Sequence, residues 1–331
     1  MPDPRISVII PAHNAAPYIE KTLEAVRAQT VSDYEVIVVN DGSPDTAEFE
    51  RAIFPYRPFI KYVVQSNRGA AAARNTAIRI ARGRYVAFLD ADDFWHPTYL
   101  EAQLAFLAAH PRADLVYADA RLVGTSPLAG RTFMQTAPSR GRVTVKSLVS
   151  LRCHVIASGV VARRSAILDV GLFDESIRRG HDFDLWVRLA KCGANLAYQR
   201  KVLLTRHVHL DSLSGDSINE SERALAGLLR IRRSLPLTRE ERAALDRSVA
   251  WLTARLELER GKAHFMDGDV AATITAVARA QRLYPRLKLR AILVALRIAP
   301  WWLRRLHFAR RGLAPPSGRF TRPACASSLR S

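Results

Sequence analysis

Residues 85–93 read Tyr85-Val86-Ala87-Phe88-Leu89-Asp90-Ala91-Asp92-Asp93, and this stretch sets the expectation for the fold. Five apolar residues have the length of a strand buried on both faces, and three carboxylates crowd its exit. Runs of the same kind occupy residues 6–11, 34–40, 60–64 and 115–117. Helical patterns at 15–29, 69–81 and 97–109 alternate with them, the last opening on Pro97 in its first turn. Alternating strands and helices predict an α/β domain, Rossmann-like, with a mainly parallel sheet covered by helices.

In such a sheet ligands bind beyond the carboxyl ends of the strands. The polar residues expected there are Ala12-His13-Asn14, Asp41-Gly42-Ser43 and the acidic run from Asp90. The Asp90 and Asp92 spacing lets one carboxylate meet a ribose hydroxyl while the other reaches a hard cation that bridges to substrate phosphates. The competing reading is an acidic turn, with Asp93 capping the next helix. Asp41-Gly42 alone is a common turn. Its placement on the same predicted edge as Asp90 and Asp92 is what makes it a binding candidate. Asn67-Arg68-Gly69 and Arg74-Asn75 bracket the start of a small-residue helix, where donors and the helix dipole favour an anion.

The chain has 331 residues, enough for one large domain and a smaller appendage. Its apolar and charged fractions exclude a disordered or collagen-like chain. Cys153, Cys192 and Cys325 are too few and too scattered for a disulfide framework or a clustered metal site. The first residues carry no basic, signal-like segment, and no apolar run has the length of a membrane span. A cytoplasmic location, peripheral on the inner face of the membrane, is the resulting expectation.

The net charge of +19 is unevenly placed. From Val270 onward there are 13 Lys and Arg and no Asp or Glu, while 37 basic and 31 acidic residues precede that point. The first 269 residues therefore carry only +6, and the basicity belongs to the tail. Such a tail seeks anionic lipid or nucleic acid. Nucleic acid is the weaker partner, because no basic motif interleaved with aromatics accompanies the charge. A dehydrogenase is disfavoured by the absence of Gly-x-Gly-x-x-Gly after the first strand.

Beyond the predicted sheet, residues 124–142 read as a mobile loop, either a lid or acceptor-binding element or a plain surface excursion. A helical pattern follows Gly180-His181-Asp182-Phe183-Asp184-Leu185-Trp186. After about residue 215 the chain turns to Ala, Leu and Arg-rich helices. We expect a catalytic domain over 1–215, divided near 119 into donor-binding and acceptor-binding parts. A basic helical region over 216–314 and a disordered tail over 315–331 complete the expected organisation. Residues 259–285 look like a single tetratricopeptide-type hairpin. Past it, Arg290, Arg297, Arg304 and Arg311 recur every seven residues beside Leu289, Leu293, Leu296 and Leu303. With Trp301 and Trp302, this pattern predicts either an interfacial helix on an anionic membrane or a helix packed on the main domain.

Taken in order, several motifs resemble those of the family 2 glycosyltransferases. They are the segment 6–14, Val39-Asn40-Asp41-Gly42-Ser43, Asn67-Arg68-Gly69 with Ala73-Arg74-Asn75, and Leu89-Asp90-Ala91-Asp92-Asp93. The likeness continues through Gly171-Leu172-Phe173-Asp174-Glu175 and the segment 181–189 to His209 and Ser212-Leu213-Ser214. It implies a GT-A fold and inverting transfer of a sugar, hexosyl in type, from a nucleoside-diphosphate sugar to an acceptor hydroxyl. A divalent Mg or Mn ion is implied as well. The family's commonest donor is a UDP-sugar, and its acceptors are growing glycans or lipid-linked precursors.

The same resemblance puts Pro11, Ala12, Asn14 and Asp41 on the nucleoside side with Arg74 nearby. It sets Asp90 at the ribose, Asp92 and His209 at the metal or diphosphate, and Asp182 as the base. Asp184 and Asp174 compete for the role of base, His207 competes with His209, and Asp182 has the alternative role of helix cap. His13 replaces a common aromatic, and His181 stands where many members carry Glu. An inactive carbohydrate-binding relative is a further reading.

Overall fold

The structure is a computed structural model that describes residues 3–208 and 217–303. Its strands are β1 (Ile6–Ala12), β2 (Tyr34–Asp41), β3 (Ile60–Gln65), β4 (Tyr85–Phe88), β5 (Phe94–Trp95), β6 (Leu115–Gly124), β7 (Val160–Arg163) and β8 (Leu196–Val208). The first helices are α1 (Ala16–Arg27), α2 (Thr46–Ile53), α3 (Ala70–Ile80), α4 (Tyr99–Ala109), α5 (Phe133–Thr136) and α6 (Val145–Val149). They are followed by α7 (Arg164–Asp169), α8 (His181–Lys191), α9 (Ser217–Ser234), α10 (Arg239–Asp267), α11 (Val270–Leu283) and α12 (Leu287–Ile298).

The strands form one sheet in the order β3-β2-β1-β4-β7-β6-β8-β5. The half made of β3, β2, β1 and β4 is parallel throughout. In the other half β7 runs antiparallel to both β4 and β6, and β5 runs antiparallel to β8. The sheet is thus more mixed than the alternation of strands and helices predicts. β1 and β2 have almost no exposed residue, because helices cover both faces of the sheet. Ile9, Ile10, Val38 and Phe88 are fully buried, each contributing about 1.5 to 3 kcal/mol of transfer free energy. On α1, Ile19, Leu23 and Val26 form the buried stripe. The Ala-rich α3 lies against β1 and β2, where its small side chains permit close approach.

From β1 the chain builds outward through β2 to β3, then returns to place β4 on the other side of β1. That reversal makes the exits of β1 and β4 a topological switch point, where open α/β sheets bind ligands.

Residues 124–142 are more ordered than a free loop. Gly130 and Arg131 pair back onto Leu122 through backbone hydrogen bonds. Thr132 and Gln135 form a capping box for α5, and Met134 N–H donates to Asp119 at 2.9 Å. Ser139 is fixed by Tyr117 and by the His154 carbonyl.

The chain separates into two compact units, Met1–Leu245 and Asp246–Ser331. The composition change near residue 215 marks the passage from strands to helices, whereas the division between units lies within α10. Ion pairs explain the difference: Lys191 with Glu241 at 2.8 Å and Lys146 with Glu240 at 2.7 Å tie the start of α10 to the first unit.

In the second unit Asp269 caps α11 by accepting from Ala272 N–H at 2.9 Å, giving the hairpin expected around Gly268. Ala254, Val277, Ala280, Leu289 and Leu296 make its apolar core, with Leu293 and Leu303 packed against them. The Leu stripe that the sequence offered to a membrane is therefore the packed face of α12. Arg304, Arg311 and the tail 315–331 lie outside the described residues.

Candidate active site

The switch point gathers most of the residues singled out in the sequence. In the β1–β2 register Ala12 is level with Asn40, and Leu89 N–H donates to the Ile9 carbonyl at 3.0 Å. The exits of β1, β2 and β4, with Pro11, Ala12, Asn14, Asp41 and Asp90, are therefore consecutive along one edge. Asn14, in a left-handed conformation at φ 53°, donates its N–H to Ser43 Oγ at 2.6 Å. His13 Nδ1 meets the Asp41 carbonyl at 3.1 Å. These bonds lock the first exit loop to the second.

Asp41 is buried, and its carboxylate accepts from Gln65 Nε2 at 2.8 Å, Arg68 N–H at 2.9 Å and Gly69 N–H at 2.7 Å. It shapes the turn that leads into α3. Gly42 lies at φ 58°, and a Cβ there would come within 2.5 Å of the Asn67 nitrogen, so the close approach of the two turns requires glycine.

Arg74 emerges from α3, buried, and its guanidinium serves two partners. It ion-pairs with Asp90 and lies 2.5 Å from His181 Nε2. Its Cζ also lies over the Phe173 ring, 5.7 Å from the centroid. Burial alone would raise the Asp90 pKa, but the charges of Arg74 and Arg206 overcome it and hold that carboxyl below its ordinary value. Burial and the Arg74 charge push the His181 pKa down, so its ring is neutral and its Nε2 accepts from Arg74. Asp93 is buried and accepts His207 N–H at 3.0 Å. Burial first, then the Asp92 and Asp90 charges, push its pKa well up.

The three carboxylates weighed as a base are differently engaged. Asp184 is buried and ion-paired with Arg188 at 2.7 Å. Arg188 in turn donates to the Val170 and Leu172 carbonyls at 2.6 and 2.7 Å. Asp174 accepts from Ser176 N–H at 2.9 Å, and its pKa is lowered first by the Ser176 hydroxyl and then, against burial, by that N–H. Asp182 sits in the first turn of α8, but the N-cap is Gly180, in the left-handed conformation. The capping alternative for Asp182 is thereby removed. Among the described residues its carboxylate makes no hydrogen bond or ion pair, and its charge acts on the adjacent His181.

The segment 171–175 has an architectural explanation. Glu175 collects Arg68, Arg79 and Asn75, and Asn75 also bonds both backbone groups of Phe173. This clamp fastens the start of α3 to the segment ahead of α8. Two residues here escaped the sequence reading. Ser158 accepts Asp90 N–H with its hydroxyl at 3.2 Å and Trp95 Nε1–H with its carbonyl at 2.8 Å. Arg206, on β8, acts electrostatically on Asp90 and Asp93. Neither lies in a run with a clear period.

His209 and Ser212-Leu213-Ser214 lie outside the described residues. His207, the competing histidine, is held by its Nδ1 at 2.8 Å from the Asp92 carbonyl and by an edge contact with Phe94 at 4.8 Å. Among the described residues no group of three His, Cys, Asp or Glu side chains could hold a metal ion by itself. The oxygen donor of Asp92 suits a hard cation whose shell is completed by phosphate and water.

A sequence model of glycosyl transferase family 2 matches residues 7–167. An uncharacterized glycosyltransferase of Rickettsia prowazekii is 30% identical over 224 residues, 66% of this chain and 69% of that protein. The chain belongs to the family 2 glycosyltransferases.

This glycosyltransferase is also 30% identical over 213 residues to a chondroitin synthase of Escherichia coli, covering 64% of its own length but only 30% of the synthase. S. aureus TarS in complex with UDP-GlcNAc superposes with a TM-score of 0.58 at 20% identity, over 93% of this chain and 92% of that one. A mannosyltransferase from Pyrobaculum calidifontis in complex with GDP-Man and Mn2+ gives a TM-score of 0.61 at 21% identity, over 89% and 80%. At these identities the likeness is one of fold. The glycosyltransferase has a GT-A type α/β architecture with a helical C-terminal region.

Proposed function

We propose that this glycosyltransferase moves a sugar, with inversion, from a nucleoside-diphosphate sugar to an acceptor hydroxyl in the assembly of a surface polysaccharide or glycolipid. The observation that carries the reading is the Asp182 carboxylate in the first turn of α8, which among the described residues makes no hydrogen bond or ion pair and whose charge acts on the adjacent His181. It follows directly on His181, whose ring touches the same guanidinium that grips Asp90 at the β4 exit. A proton acceptor and a donor-binding edge are thus joined through one buried arginine. The polysaccharide context draws on the chondroitin synthase likeness, and the donor class on the complexes of TarS and the Pyrobaculum enzyme.

In this reading Pro11, Ala12, Asn14 and Asp41 border the nucleoside, and Asp90 takes a ribose hydroxyl while Arg74 fixes its rotamer. Asp92, with His209 as the family resemblance implies, would hold a divalent ion, which when bound would supply positive charge to the diphosphate leaving group. The acceptor oxygen attacks the anomeric carbon as the bond to the diphosphate breaks, and the bonding pair leaves with that diphosphate. Asp182 takes the acceptor proton as the new bond forms. The transition state is oxocarbenium-like by analogy with glycoside hydrolysis, and attack from the face opposite the leaving group inverts the configuration. Every residue in this reading precedes position 215, so the catalytic part is assigned to 1–215.

A panel of nucleotide sugars, with and without Mn2+, tests the proposal by diphosphate release and by NMR of the product anomer. One donor class should release diphosphate with metal and give the inverted anomer, and Asp92→Ala should abolish the metal-dependent part of donor binding while the protein stays folded. A retained anomer would refute the mechanism, and unchanged metal-dependent affinity in Asp92→Ala would remove Asp92 from the metal site.

A further inference from the structure

α12 carries two apolar faces. Leu289 and Leu296 are buried in the core of the second unit. On the other side Leu287, Val294 and Ile298 are 82%, 54% and 76% exposed, and Ala291 between them is exposed too. These four fall at i, i+4, i+7 and i+11, within about 60° of one another around a helix of 3.6 residues per turn. Trp301 and Trp302 follow after Ala299 and Pro300, both about half exposed. Lone exposed apolar residues are ordinary, but an aligned row of them marks an interaction surface.

The charges beside the row select the partner. Arg290 and Arg297 form one shoulder of the stripe and Lys288 the other, all of them exposed, and Arg286 precedes the helix. No acidic residue occurs in this sequence after Asp269. A long apolar row between cationic shoulders, with Trp at its end, matches an anionic lipid surface: the apolar side chains enter the headgroup boundary while the Arg and Lys heads remain at the phosphates. A second copy of the chain would meet the same positive shoulders and be repelled. No described helix is long and apolar enough to cross a membrane, which is consistent with a helix lying on one.

We propose that the Leu287, Val294 and Ile298 face of α12, continued by Trp301 and Trp302, is a docking surface for an anionic bilayer. It stands independently of the catalytic reading, because no residue of the switch point takes part.

The test is sedimentation of the full chain with vesicles of phosphatidylcholine alone or with about a third phosphatidylglycerol. Binding should require the anionic lipid and weaken as salt rises. The combined variant Leu287→Gln, Val294→Gln and Ile298→Gln should lose binding by roughly tenfold to a hundredfold, at an unchanged melting temperature and with the basic tail intact. Arg290→Gln with Arg297→Gln, which leaves the apolar row in place, should lose the preference for anionic lipid. Absence of wild-type binding, or equal binding by the apolar-row variant, would overturn the proposal. So would a wild-type dimer that dissociates in the apolar-row variant while neither protein binds vesicles.

Discussion

Arg74 and His181 meet at 2.5 Å, although 107 residues separate them, and the same guanidinium holds Asp90. The buried arginine therefore couples the exit of β4 to the first turn of α8. A disturbance on either side is expected to be felt on the other.

Arg74→Ala should destabilise the protein by about 2 to 4 kcal/mol in denaturant unfolding, because it strips a partner from Asp90 and from a buried imidazole. The partial exposure of the Asp90 side chain keeps the cost below that of a fully buried pair. Arg74→Lys should recover little of it, since one ammonium cannot reproduce the guanidinium fork. A full recovery by lysine would show that charge alone matters there.

His181 makes stability depend on pH. Its folded pKa lies below the ordinary value of 6.5, so the unfolded chain binds more protons in the window beneath that value. Stability contributed by the neutral ring is present above about pH 6.5 and is lost as pH falls toward the folded pKa. His181→Gln retains an acceptor for Arg74 and does not titrate. The stability of wild type relative to this variant should fall as pH drops below about 6.5, whereas a constant difference would contradict the neutral, accepting imidazole.

Gly42→Ala should cost about 2 to 4 kcal/mol, because a left-handed φ and a contact with the Asn67 backbone add together. Since Asp41 anchors the turn from Arg68, nucleotide affinity should fall with it. Calorimetry of nucleoside diphosphate binding checks the second effect, and a stable variant with normal affinity would show that the turn can be rebuilt.

The parallel half of the sheet was legible because β1, β2 and β4 are continuous apolar runs, and their exits carried the site. β8 was not legible: its buried and exposed residues follow no simple alternation, and a register irregularity interrupts its pairing with β6 at Ala118 to Ala120. β7 is only four residues long and is stabilised by strands distant in sequence. α2 buries only Phe49 and Ile53, too little for a clear helical period. Arg206 was missed with β8, since electrostatic proximity across the sheet leaves no local signal. The engagement of Asp174 and Asp184 needed three dimensions, because only the fold brings Ser176 to one and Arg188 to the other.

The most direct measurement is the transfer rate of Asp182→Asn at saturating donor with its acceptor, compared with Asp184→Asn. Asn keeps the shape but cannot accept the proton, so Asp182→Asn should retain donor and metal affinity and lose a factor of roughly 10² to 10⁴ in rate. Asp184→Asn should act chiefly on stability by weakening the Arg188 pair. A fully active Asp182→Asn enzyme would contradict the account.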